Sequence, residues 1–276
     1  MPELPEVETV RRSLGALIIG KTIQSIDVLY SRIIRTPSDV QEFKSLLEGQ
    51  TINAIKRKGK YLLFEFGTVT LISHLRMEGK YIYINNGTKT YDKHTHIIFN
   101  FTDNSELIYN DVRKFGTMDV VENYKINHFS PLLKLGQEPI DPDFDKDRFS
   151  NELKQKKAPI KQVLLSQEIV CGLGNIYVDD SLAMSHIHPL RQANSLTEEE
   201  INKLSASMKT ILIKAIENGG SSIKSFESIY GRGSMQDHLI VYGKTGRPCI
   251  YCGTTIVKIR ICGRGTHYCP SCQIIE

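Results

Sequence analysis

The chain has 276 residues, 40% of them hydrophobic and 24% charged, and a net charge of +4. That is enough chain for two packed domains of ordinary globular composition. Its apolar runs, such as Leu71–Ile72 and Ile211–Ile213, are far short of the roughly 20 residues that span a bilayer, and an N-terminus bearing Glu3, Glu6 and Glu8 is no signal peptide, so a cytoplasmic protein is expected. The charge is uneven: residues 203–276 carry a balance of +6 and the first 202 residues one of −2, a basic C-terminal part of the kind that meets nucleic acid.

The opening residues, MPELPEVETVRR, admit two readings. Pro5 suits an early helical position, and Val7, Val10, Leu14 and Leu17 share one helical face. Removal of Met1 would also leave Pro2 as a free secondary amine. An α-amino group titrates near about 7.7–8.0, so part of it is neutral at pH 7, and its attack on a sugar carbon gives an iminium ion. Glu3 stands beside it as a candidate proton donor or relay.

Residues 22–121 read mainly as short strands: Thr22–Tyr30, Thr51–Arg57, Tyr61–Phe66, Val69–Ser73, Tyr81–Ile84, His96–Phe101, Glu106–Tyr109 and Thr117–Val121, with one helix over Val40–Glu48. Strands of this length at this spacing predict a β-sandwich. By pattern, Lys56-Arg57-Lys58-Gly59-Lys60-Tyr61 is a basic turn between strands. Two strand ends, His74–Gly79 and Asp111–Gly116, set Met77, Arg113 and Phe115 among polar residues. Apolar wedges with an arginine suit the filling of a hole left by an extruded base.

Breakers at Ser130-Pro131, Glu138-Pro139 and Asp141-Pro142 predict a linker or hinge over 131–145, between an N-terminal domain (1–130) and a C-terminal one (146–276). Helices are expected over Asp147–Lys156, Ile160–Gln167 and Thr197–Asn218, the last opened by a Thr197 cap and closed by Gly219. In Cys171-Gly172-Leu173-Gly174-Asn175, two glycines before a helix leave backbone N–H groups free to face an anion. Gly219–Gln236 is polar and rich in glycine and serine. The tail carries Cys249-x-x-Cys252 and, after sixteen intervening residues, Cys269-x-x-Cys272. That spacing is read as a four-cysteine site for one structural Zn2+. In a cytosolic chain these thiols are not expected to pair as disulfides.

Residues 2–9, PELPEVET, resemble the opening of the bacterial formamidopyrimidine-DNA glycosylases, which excise oxidised purines such as 8-oxoguanine and then cleave the abasic strand. Further motifs of that family run nearly to the C-terminus. The resemblance implies an α+β fold: an N-terminal β-sandwich with flanking helices, then a helical helix–two-turn–helix domain with a zinc-ribbon β-hairpin over 240–276. It makes Pro2 the nucleophile and gives Glu3 the proton handling. Arg57, Lys60 and Tyr61 match the family's R-x-x-K-Y pattern, with Lys60 contacting phosphate and sugar beside the lesion and assisting catalysis. Met77, Arg113 and Phe115 match the intercalating trio, Arg113 facing the orphaned cytosine. His74 and His94 become phosphate contacts, as do Asn175 and Tyr242, while Lys156 and Lys157 meet DNA and lesion. Arg264, at the hairpin tip, grips the phosphates around the lesion and serves the last elimination. The polar 219–236 stretch becomes a lesion-capping loop. Two positions depart from the family pattern: Lys114 replaces an arginine and Asp180 a glutamate.

The implied activity is that of a bifunctional glycosylase and abasic-site lyase, acting on damaged double-stranded DNA as a monomer through β- and δ-elimination. Two alternatives stand beside it. An endonuclease VIII-like enzyme would take oxidised pyrimidines, which Leu4-Pro5 and the Arg113/Phe115 pair disfavour. A non-catalytic zinc-ribbon DNA-binding protein would leave Pro2-Glu3 without a purpose.

Overall fold

A computed structural model of the chain describes residues 1–85, 91–221 and 233–275. It divides into two compact units, Met1–Leu133 with Ser221–Gly233, and Lys134–Gly220 with Ser234–Glu276.

The first unit opens with helix α1 (Leu4–Ile18). A capping box joins Glu3 and Glu6 at its start, and Leu4, Val7, Val10, Leu14 and Ile18 are buried along one stripe. Strands β1 (Ile23–Val28) and β2 (Ile34–Thr36), helix α2 (Val40–Leu47), strands β3 (Ala54–Lys58), β4 (Tyr61–Glu65), β5 (Val69–His74), β6 (Lys80–Ile84), β7 (Thr95–Phe101), β8 (Glu106–Asn110) and β9 (Thr117–Glu122), and the short helix α3 (Ser130–Leu133) follow. They form a four-stranded sheet in the order β1-β7-β8-β6 and a five-stranded sheet in the order β2-β9-β5-β4-β3. One core runs through the unit, from Val10 and Leu14 of α1 through Phe64, Leu71, Phe99 and Leu107 of the strands. Each such side chain contributes about 1.5–3 kcal/mol by leaving water. β5 lies inside its sheet and is buried at all six positions, Thr70, Ser73 and His74 included, so its sequence VTLISH shows no simple apolar–polar alternation. β2 was not expected. It is three residues long and pairs parallel to β9, too short to show a periodicity.

The second unit holds α4 (Lys146–Lys154), α5 (Ile160–Leu165), α6 (Asn175–Met184), α7 (Glu198–Glu217) and a hairpin of β10 (Val257–Ile261) and β11 (Arg264–Tyr268). Thr197 and Glu200 make a capping box at the start of α7, and Ile201, Leu204, Met208, Ile211, Leu212 and Ala215 form its buried stripe. The stretch expected as a linker is tied into this unit from Lys134 onward. Gly136 and Gln137 donate backbone hydrogen bonds to Gln167 and Ile169, and Gln137 accepts one from Cys171. A Cβ on Gly136 would lie 2.2 Å from the Ile169 carbonyl, so only glycine allows that approach.

Candidate nucleic-acid interface

In the first unit, strand register gathers the expected residues at one end of the sandwich. His74 pairs with Tyr61 on one side and Thr117 on the other, and Lys80 pairs with Asn110. The β5–β6 connection (75–79) and the β8–β9 connection (111–116) therefore cross side by side from one sheet to the other. The first carries Met77, half-buried; the second carries Arg113 and Phe115, both exposed. The Arg113 guanidinium stacks on the Phe115 ring, 4.7 Å from its centroid. His94 is next to this connection, its carbonyl accepting the Asp111 N–H at 3.0 Å. The Gly59–Lys60 turn between β3 and β4 lies on the other side, at the start of the strand that pairs with His74.

His74 is buried, with its Nδ1 accepting the Arg76 N–H at 2.9 Å. The neutral ring then carries its proton on Nε2, a donor suited to an anionic oxygen. Burial, with Arg76, Lys60 and Arg35 nearby, depresses its pKa to about 3, so it stays uncharged at neutral pH. Lys114 stacks its ammonium 4.5 Å above the Tyr30 ring, which gives this position an anchor within the unit.

Pro2 and Glu3 are buried at the start of α1. The Glu3 N–H donates to Glu6 Oε2 at 2.8 Å, and the other Glu6 oxygen accepts the Ser221 N–H at 2.7 Å. Glu6 thus ties the chain's start to the last described residue before 222–232; most of the expected capping loop lies outside the described residues. One turn along, Glu8 receives Arg11, Arg12 and Arg57, and Arg57 also donates to the Gly59 carbonyl at 3.0 Å. Burial pushes the Glu8 pKa up, but the three guanidinium groups prevail and hold it at about 2. An ion-pair chain therefore runs from α1 to the turn that bears Lys60.

In the second unit, Gly174 caps α6 and Asn175 is its first residue. Asn175 Nδ2 donates to the Gly265 carbonyl at 2.9 Å, which joins the helix start to the β10–β11 hairpin beside Arg264. Tyr242 packs its ring edge-on against His267 of that hairpin, at 4.8 Å. Asn175, Tyr242 and Arg264 are thus brought together, with Arg264 exposed at the tip. Lys156 and Lys157 stay exposed at the turn after α4, where Lys156 reaches Glu168 at 3.7 Å.

Asp179, Asp180 and Lys161 support this cluster, and of them only Asp180 was singled out from the sequence. Lys161 and Asp179 are wholly buried and meet at 2.5 Å. Asp179 also accepts the His267 N–H at 2.8 Å, and Lys161 is 3.5 Å from the Gly265 carbonyl. Asp180 accepts three backbone N–H groups, from Ile240 at 2.7 Å and from Val241 and Tyr242 at 3.0 Å each. Burial raises its pKa to about 6 against the pull of those donors. Its shorter side chain, relative to the glutamate of the family pattern, therefore sets the backbone that presents Tyr242. The available signal was two adjacent acids, and one lysine, inside otherwise apolar helices, because a buried charge requires a partner.

Comparison with known proteins accounts for both halves. Residues 1–118 match the formamidopyrimidine-DNA glycosylase N-terminal domain, 135–227 the formamidopyrimidine-DNA glycosylase H2TH domain, and 246–274 a zinc finger found in FPG and IleRS. The formamidopyrimidine-DNA glycosylase of Exiguobacterium sibiricum is 50% identical over 274 residues, 99% of each chain. The chain belongs to the formamidopyrimidine-DNA glycosylase family. The same-named protein of Cytobacillus firmus is 49% identical over 275 residues, covering 99% of this chain and 100% of its own. Among solved structures, MutM in complex with DNA containing carbocyclic 8-oxo-G superposes with a TM-score of 0.93 at 46% identity, covering 99% of both chains. Lactococcus lactis Fpg bound to abasic-site DNA superposes equally well, TM-score 0.93 at 46% identity, over 98% of this chain and 99% of that one. The expected architecture is thereby shown: sandwich, helix–two-turn–helix domain and zinc-finger hairpin.

The zinc finger of this family member can be tested on its own geometry. The four sulfur atoms of Cys249, Cys252, Cys269 and Cys272 lie within 4.8 Å of one another. Cys249 and Cys272 are 3.9 Å apart, and Cys252 and Cys269 3.5 Å. A tetrahedral Zn2+ with bonds of about 2.3 Å sets its sulfurs about 3.8 Å apart, so the four fit one ion. The Tyr251 and Cys272 N–H groups each point at a ligand sulfur at 3.5 Å. Four protein ligands close the coordination shell, which makes the ion structural. Among the described helices none is long and apolar enough to cross a membrane.

Proposed function

We propose that this chain excises 8-oxoguanine and formamidopyrimidine bases from double-stranded DNA and then cuts the abasic strand, using Pro2 as its nucleophile. The MutM and Lactococcus lactis Fpg complexes named above contain 8-oxo-G and abasic DNA, and a variant of the Lactococcus lactis enzyme is solved with DNA containing Fapy-dG. The observation that carries the reading is the start of α1. The capping box holds Glu3 at the start of α1, and the Glu8–Arg57 ion pair links that helix to the β3–β4 turn that carries Lys60, in the unit whose loops carry the wedge residues.

With Met1 removed, the Pro2 nitrogen attacks C1′ of the damaged nucleotide. The C1′–N bond to the base breaks, and Glu3 gives a proton to the ring oxygen as the sugar opens. The iminium ion acidifies the C2′–H bond; a general base takes that proton, the electron pair flows toward the iminium and the 3′ phosphate leaves, and a second elimination of the same kind expels the 5′ phosphate. Lys60 and Arg264 stabilise the departing phosphates. Met77, Arg113 and Phe115 fill the space left by the flipped nucleotide. His74, His94, Lys156, Lys157, Asn175 and Tyr242 hold the backbone, so affinity falls as salt rises. The zinc ion, held by the four cysteines, keeps the hairpin folded and takes no part in the chemistry. The enzyme works in the cytoplasm as a monomer.

Borohydride trapping on a duplex with 8-oxoguanine opposite cytosine tests this. The expected product is a stable adduct whose mass maps to Pro2. Absence of an adduct on both this duplex and an abasic control, with Met1 confirmed absent, would sink the catalytic reading.

A further inference from the structure

One hydroxyl lies under both loops that carry the wedge. Tyr109, near the end of β8, is fully buried, its ring edge-on to Tyr81 at 5.3 Å. Its oxygen lies between Gly79, which closes the 75–79 connection, and Gly116, which closes the 111–116 connection. A Cβ on Gly79 would come within 2.2 Å of that oxygen, and one on Gly116 within 1.6 Å. No carbon fits at those distances, so the phenol is seated only because both positions are glycine. The oxygen also reaches Asp111 Oδ2 at 3.5 Å. Asp111, wholly buried, accepts the N–H groups of Arg113 and Phe115 at 2.9 Å and of Gly116 at 2.8 Å. Burial and the Asp111 charge keep the phenol protonated.

We infer that Tyr109 is a positioning residue: its hydroxyl joins the Met77 loop to the Arg113–Phe115 loop, so that the three side chains enter DNA as one preset wedge. This rests on the role proposed above for the trio. Sheet register fixes only the stems of the two loops, at His74 opposite Thr117 and Lys80 opposite Asn110. The tips need something more, because each turns through a left-handed residue that is not glycine: Arg76 at φ 54° beside Met77, and Lys114 at φ 59° between Arg113 and Phe115. That conformation is strained for a residue with a Cβ and persists where neighbouring structure holds it. Asp111 holds one loop through three N–H groups, and the Tyr109 hydroxyl carries that constraint across to the other.

Tyr109→Phe removes one oxygen and keeps the ring. The measurement is single-turnover excision of 8-oxoguanine opposite cytosine and opposite adenine, beside a thermal melt. Arg113 faces the opposite base, so a wedge that has lost its register should discriminate less: the cytosine-over-adenine ratio is expected to fall about threefold or more, with Met77→Ala costing less in the Tyr109→Phe background than in the native chain. Loss of fold alone lowers both rates together and leaves the ratio in place. Gly79→Ala presses on the same hydroxyl, and on the Leu75 carbonyl of its own loop, and should also lower the ratio although Arg113 is on the other loop. A folded Tyr109→Phe or Gly79→Ala protein with the native ratio, or strict additivity with Met77→Ala, overturns the inference. A native chain that excises from neither duplex refutes the proposed function instead.

Discussion

The two units present their functional residues by different physical means. The sandwich has a continuous apolar core, and its site residues are at strand ends and on short connections whose stems are fixed by ladder register. The β10–β11 hairpin has five residues in each strand, and its Val257–Ile261 strand alternates half-buried with exposed positions and buries only Ile261. Too little apolar surface is available there to fix Arg264 by packing. The second unit therefore uses a metal cluster at one side of the hairpin and buried charged groups at the other. In the sandwich, register sets the stems and buried carboxylates such as Asp111 hold the tips; in the hairpin, electrostatic and coordinate bonds take over the part that register plays.

The largest expected effect follows from the metal. Structural zinc supplies about 10–16 kcal/mol to small finger domains, so removing it should unfold the finger while the sandwich stays folded. Chelation, or Cys269→Ser, is expected to abolish DNA cleavage and to remove one of two transitions in a calorimetric scan. A finger whose amide protection survives complete metal loss would show that the hairpin is held by packing after all.

Next in size is the buried pair. Lys161→Ala takes the ammonium away from the wholly buried Asp179 and breaks a buried ion pair, which costs about 3–5 kcal/mol. Asp179 also holds the His267 N–H, so the hairpin should loosen with it. Urea midpoints for the single variants and for Lys161→Met with Asp179→Leu would separate the two contributions. The paired apolar replacement is expected to recover most of the stability but not the hairpin's position.

The contrast also sets what could be read from sequence. The sandwich strands were legible because half-buried and buried strands leave a pattern of β-branched and aromatic residues between turn residues. The cysteine site was legible because ligand spacing is local. Met77, Arg113 and Phe115 were found by resemblance, and their placement on adjacent connections follows from the pairing of β5 with β9 and of β6 with β8, which no local pattern encodes. Lys161, Asp179 and Tyr109 were missed for the same reason. Each acts on residues far away in the chain: Lys161 on Gly265, Asp179 on His267, Tyr109 on Gly79. β2 was missed because three residues in a parallel bridge have no period.

The sandwich end should show its own signature with pH. His74 is depressed in the folded chain to about 3, from 6.5 in an unfolded one. The unfolded state then binds the extra proton first as pH falls. His74's contribution is fully present above pH ~6.5 and is lost by about 1.4 kcal/mol per pH unit below that, until the folded pKa is reached. Urea unfolding at pH 7.5 and 5.5 should therefore show a steeper loss for the native chain than for His74→Gln. Equal slopes would mean that the imidazole is hydrated in the folded protein, and that register does not bury it as the ladder with Tyr61 and Thr117 requires.

The smallest effect compares two capping boxes. In α1 the box joins Glu3 and Glu6, groups placed at the proposed chemistry; in α7 it joins Thr197 and Glu200, with Glu200 N–H donating to Thr197 Oγ1 at 3.2 Å. Both satisfy N–H groups that a helix start leaves without partners. Thr197→Ala should cost about 1 kcal/mol of stability. It should leave excision, trapping and opposite-base preference unchanged, since α7 serves only as a buried stripe behind α6. A change in the trapping rate without a change in the urea midpoint would contradict that division, because it would require the α7 start to act on the DNA-facing residues through a route other than fold stability.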